Sequence, residues 1–200
     1  MNSTRYGFFA IFVLFGCFDT LLAAGLEDVV FGFERTTGFE SIHHLVGVVG
    51  LGIWANQTDK ARSAKLSLLF LLSLGVSCLM GMSMEVSFDL RPVVAGEIVL
   101  LGLFVARSLG LNAAWDVVAV MMFGLLNGVM IGTSAKGEAP MFFPLGVVLS
   151  GIVLLLAGAI ATWVFGIRKA NGSSGRFSNA PFAGGILVGI GTVFMIELLR

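Results

Sequence analysis

The chain has 200 residues, 57% hydrophobic and 12% charged, with a formal net charge of zero. Soluble domains carry about 25% charged residues, and a mean hydropathy of +0.98 excludes both a water-soluble globule and a disordered chain. No basic cluster large enough to hold nucleic-acid phosphates is present, so composition points to an integral membrane protein whose first partner is the lipid bilayer.

A helix crossing the ~30 Å hydrocarbon core needs about 20 mostly apolar residues. Continuous apolar runs at 7–24, 41–57, 66–84, 92–110, 113–132, 141–166 and 180–199 predict an all-α polytopic bundle of seven transmembrane helices in a single domain, 1–200. A β-barrel would show alternating strands of about 10 residues instead. The first run follows Arg5 and ends in small residues, as a secretory signal does; six helices remain if it is cleaved. The third run holds Cys78 and the first Cys17, without metal-binding spacing, so both read as small buried hydrophobes. Glycines repeat every four residues at Gly124, Gly128 and Gly132 and again at Gly185 and Gly189, stripes that let helices approach closely in lipid. The stretch Asn171–Asn179 reads as a flexible loop.

Charge suggests an orientation. With the N-terminus cytoplasmic, the inner loops carry Arg5, Lys60, Arg62, Lys65, Arg107, Arg168, Lys169 and Arg176, while the outer side keeps Arg35, Arg91, Lys136 and Arg200, in the positive-inside sense. The C-terminus is then non-cytoplasmic. Trp54, Trp115 and Trp163 all fall at inner helix ends, where an interfacial aromatic belt would sit.

Ionisable residues inside a membrane cost about 2.5–3.5 kcal/mol at mid-helix on insertion scales and face a cavity or a partner. Asp19, Glu97, Asp116 and Glu197 lie within the spans; Asp116 and Glu197 are near enough to helix ends to reach water. The orientation sets Asp19, His43, His44, Glu97, Asn127 and Glu138 at similar depth, in the outer half or its mouth. Carboxylates with imidazole suit divalent transition metals and equally a proton relay. Glu40 is three and four residues before His43 and His44 and can share a helix face with either, whereas the two imidazoles diverge by about 100°. No H-E-x-x-H, glycine-rich phosphate loop or Ser–His–Asp set is present, so an enzyme is not expected.

The segment Ser41-Ile42-His43-His44-Leu45-Val46-Gly47, followed by Gly52-Ile53-Trp54-Ala55-Asn56-Gln57, resembles the first motif of the HupE/UreJ family of nickel permeases, H-P-x-x-G-x-D-H-L-L-A-M and then G-L-W-A-A-Q. A second stretch, Gly132 to Pro140, is similar to the family's H-G-x-A-H-G-x-E-x-P: Gly132, Glu138 and Pro140 match, and the histidines fall on Ile131 and Ala135. An alternative register sets Asn127-Gly128 on the first H-G, with Asn127 in place of histidine. In the first motif Thr37, Gly38 and His43 replace the family's histidine, proline and aspartate. The resemblance implies a small bacterial inner-membrane permease for a divalent cation such as nickel. Its metal ligands would be His44, His43, Glu40 and Glu138, with Asp19, Glu97 and Asn127 along the ion pathway. It also implies a degenerate site, since His44 alone survives of the family histidines. No resident cofactor is expected beyond that ion. Two other functions fit the residues: a non-transporting subunit of a larger membrane complex, with membrane partner subunits, and a proton-coupled carrier using Asp19 and Glu97.

Overall fold

Every regular element of the computed structural model is a helix among the described residues, which are 26–38, 42–84, 91–106, 113–137, 140–167, 179–198 and 200. In chain order they are α1 (Leu26–Thr37), α2 (Ile42–Asn56), α3 (Lys60–Ser83), α4 (Arg91–Ala106), α5 (Ala113–Ser134), α6 (Phe143–Val164) and α7 (Ala180–Leu198). Local chemistry sets several ends. Asp59 caps α3, its carboxylate accepting from the Arg62 amide at 3.0 Å. Pro144 sits in the first turn of α6, where its missing N–H costs nothing. That helix stops at Gly166, whose φ of +61° permits the Ile167 amide to bond back to the Thr162 carbonyl.

Among the described residues four helices are long and apolar enough to cross a membrane: Lys60–Ser83, Ala114–Ser134, Phe143–Val164 and Ala180–Leu198; Ile42–Asn56 is a shorter apolar helix. The expectation of seven spans is therefore met in part. The run 7–24 lies outside the described residues, and the runs 41–57 and 92–110 appear as helices of 15 and 16 residues. Helix α1 was not expected. Its 12 residues, rich in charge at both ends, bury only Val29, Gly32 and Thr36, so no apolar run announces it.

The surface of the bundle is apolar, and a few polar side chains lie within its apolar core. Leu68, Leu72 and Val76 of α3, Val153, Leu156 and Ile160 of α6, and Phe182, Val193 and Ile196 of α7 are exposed, while Ser77, Ser150, His44, Glu97 and Asn127 are buried. That distribution fits a bundle whose solvent is lipid. Cys78 is fully buried in the core, as expected.

The helices associate through glycine. A Cβ at Gly32 or Gly146 would enter the backbone of the other's helix, and the same holds for Gly52 with Gly158, Gly81 with Gly132, and Gly102 with Gly184. These contacts join α1 to α6, α2 to α6, α3 to α5 and α4 to α7. The stripe Gly124–Gly128–Gly132 packs on Ser73, Ser77 and Gly81 of α3, and the Ser77 hydroxyl bonds the Gly124 carbonyl at 3.0 Å. On α7 the packed glycines are Gly184 and Gly191. Gly185 and Gly189 meet nothing within 4 Å, which corrects their reading as a packing stripe.

Candidate functional site

Three helices bring one polar side chain each to a common point. His44 is in the first turn of α2, Glu97 in the second turn of α4, and Asn127 two turns before the end of α5. The His44 Nδ1 lies 2.5 Å from Asn127 Oδ1. Asn127 Nδ2 lies 2.7 Å from Glu97 Oε2 and 2.9 Å from the Phe123 carbonyl. All three side chains are buried, at 3, 5 and 4% exposure for His44, Glu97 and Asn127.

This geometry assigns the protons. A backbone carbonyl only accepts, so the atom facing Phe123 is the amide nitrogen, and its second hydrogen goes to Glu97. Asn127 Oδ1 then accepts, and His44 donates from Nδ1. In the neutral ring, Nε2 is left with its lone pair, the state in which imidazole binds a metal. Glu97 Oε1 and His43 Nε2 are buried without a hydrogen-bond partner. Unspent acceptors of this kind, held at fixed positions, are what a passing cation or proton would require.

The neighbouring His43 lies against His44. Its ring centroid is 4.4 Å from that of His44 and 6.5 Å from that of Phe194 on α7. It lines a cavity of about 370 Å³ with Arg91, Ala95, Phe194 and Glu197. The two imidazoles thus lie side by side, and the expected divergence by about 100° is not observed.

Of the anticipated site residues, His44, Glu97 and Asn127 are brought together and His43 adjoins them. Asp19, Glu40 and Glu138 lie outside the described residues. Among the described residues no group of three or more His, Cys, Asp or Glu side chains is arranged to hold a metal ion, so the four-ligand set is not assembled by this part of the chain.

Two readings are corrected. Asp116 does not simply reach water: it is buried and pairs with Arg62 of α3. Trp54 is not part of an interfacial belt. It is buried and stacks on Phe104 at 5.3 Å between centroids, with Phe104 in turn 6.2 Å from Phe123. Trp115 and Trp163 are exposed, as a belt requires. The aromatic cluster was missed because each ring sits in an apolar run, where a ring is unremarked. The signal available was that Trp54, Phe104 and Phe123 lie on the same three helices as the polar residues.

No curated protein and no solved structure matches the chain. The family described as HupE / UreJ protein matches residues 37–194, a stretch that contains His43, His44, Glu97 and Asn127. The chain belongs to the HupE/UreJ family.

Proposed function

We propose that the protein is a membrane permease of HupE/UreJ type that carries a divalent transition-metal cation, of the nickel class, as its substrate. The single observation behind this reading is the His44–Asn127–Glu97 chain, buried across α2, α4 and α5. The amide consumes one face of the imidazole and one oxygen of the carboxylate. His44 Nε2 and Glu97 Oε1 are the ligand atoms that the chain of hydrogen bonds does not use. Imidazole nitrogen with carboxylate oxygen is a donor set that nickel and its neighbours accept, and a ring nitrogen oriented by its second hydrogen bond is a better ligand than a free one. His43 would receive the cation first, with Glu40 and Glu138 at the mouth. A site with few ligands suits a transporter, which must release what it binds. The finer topology belongs to the same reading: seven spans, or six after loss of 1–24, in a bacterial inner membrane, with the N-terminus cytoplasmic and the C-terminus outside.

Purified protein in liposomes, loaded with a metal-quenched dye, provides the test. His44→Ala and Glu97→Gln are each expected to abolish nickel or cobalt influx. Unchanged influx in both, with the proteins folded, removes the proposal.

A second reading, a non-transporting subunit of a membrane complex, has one observation in its favour: the described residues assemble no three-ligand cation site. A stoichiometric partner that survives mild detergent, together with no influx by the native protein, would establish it.

A further inference from the structure

Below the polar chain, the same three helices supply a second layer. Each helix carries its ring farther from the His43 end than its polar residue: Phe123 of α5 by four residues, Phe104 of α4 by seven, Trp54 of α2 by ten. At 1.5 Å per residue these are steps of about 6, 10 and 15 Å. The rings therefore descend as a staircase, Phe123 to Phe104 at 6.2 Å and Phe104 to Trp54 at 5.3 Å, all three buried. The top of the staircase lies one helical turn from the polar chain, and the Phe123 backbone carbonyl accepts from Asn127. Past the bottom, Gln57 Nε2 donates to the Val105 carbonyl at 3.2 Å, tying α2 to α4, and the Arg62–Asp116 pair ties α3 to α5. At the opposite end stands the cavity of about 370 Å³ lined from α2, α4 and α7, and His43 on its wall has its ring 4.4 Å from that of His44.

We infer that the seam between α2, α4 and α5 is the permeation route, entered from the His43 end, where His43 joins the cavity wall to His44, and closed toward the Arg62 end by the Trp54–Phe104–Phe123 ring cluster. This rests on the permease reading. A buried cluster of aromatic rings, Trp54 stacked on Phe104 and Phe104 tilted against Phe123, excludes water, and a cation that must keep part of its hydration shell stops there until the rings part. Cargo therefore reaches the His44–Asn127–Glu97 layer from one side only in this conformation, and leaves by displacement of rings, not by exchange of ligands alone.

The test uses the full chain in liposomes of known orientation, with Cys17 and Cys78 replaced by alanine and Asn127→Cys as the reporter. A charged, membrane-impermeant methanethiosulfonate is applied to each side. The label is expected to enter from the His43 side and to react at least ~10-fold more slowly from the Arg62 side, as a dewetted constriction would impose. Phe104→Ala or Trp54→Ala should remove that difference, while Phe104→Leu should keep it. Equal rates from both sides with all rings in place would overturn the inference, and this arm needs no ring variant to fold. So would an unchanged Arg62-side rate in both alanine variants when they elute as native protein. Labelling requires no cargo. A sided label, with no cation flux by protein that retains Asn127, would therefore sink the permease reading and leave the closed seam standing, whereas such flux without a sided label would sink the seam.

Discussion

Asn127 is the residue on which the site's chemistry turns. It is neither acid nor base, yet it determines which nitrogen of His44 carries a proton and which oxygen of Glu97 stays unbonded. Asn127→Ala should leave both neighbours in place but unsupported, lowering cation affinity about 10–100-fold, the usual cost of losing such an orienting group; isothermal titration with nickel measures it. The same substitution strands two buried polar groups, at about 1–3 kcal/mol each, which a lower melting midpoint in detergent would register. Asn127→His, which installs the imidazole that one register of the family motif has there, should instead strengthen binding in the same titration. His44, Glu97 and Asn127 stood out in the sequence because a polar group is expensive in an apolar run, and reading their depths made them neighbours. Their pairing was not legible, since hydrogen-bond direction depends on side-chain rotation that linear spacing does not contain. Asp116 was misread for a related reason: its partner, Arg62, belongs to a different helix.

At the scale of helices, glycine register decides who packs on whom. Gly128 of α5 faces the Leu74 carbonyl and the Ser77 hydroxyl of α3 so closely that a Cβ has no room. Gly128→Ala should force α3 and α5 apart and cost about 1–3 kcal/mol, as overpacking does. Gly185→Ala on α7, where nothing lies within 4 Å, should change stability by less than about 0.5 kcal/mol. Thermal unfolding of both variants in one detergent makes the comparison. The four-residue glycine repeat on α5 was visible in the sequence, and so was the run of α7. On α7, though, the working face uses Gly184 and Gly191, seven apart, and only the rotation of the packed helix distinguishes that pair from its neighbours. Helix α1 escaped for the opposite reason. Its 12 residues have little net apolarity, and what holds them is the Gly32–Gly146 contact with α6, a tertiary fact.

For the molecule as a whole, the apolar exterior was the most legible property, because hydropathy alone dictates it. The number of crossings was less so: length separates the four long helices from α2 and α4, whose expected runs extend beyond the described residues. The positive-inside orientation makes a direct prediction. Alkaline phosphatase fused after residue 200 should be active and after residue 58 inactive, and the reverse pattern would invert the assignment of the His43 end to the outside.

The glycine contacts also carry a consequence for how the protein is made. Helices α1 and α2 find their mates in α6, and α4 finds its mate in α7, so the first half of the chain leaves the ribosome before the surfaces that complete it exist. During that interval His44 and Glu97 have been inserted without the amide of α5 between them, and three helices present bare backbone grooves to acyl chains. Assembly is consequently a late event that follows insertion, and a nascent chain stalled short of α6 would be a substrate for membrane quality control, not a smaller version of the finished protein.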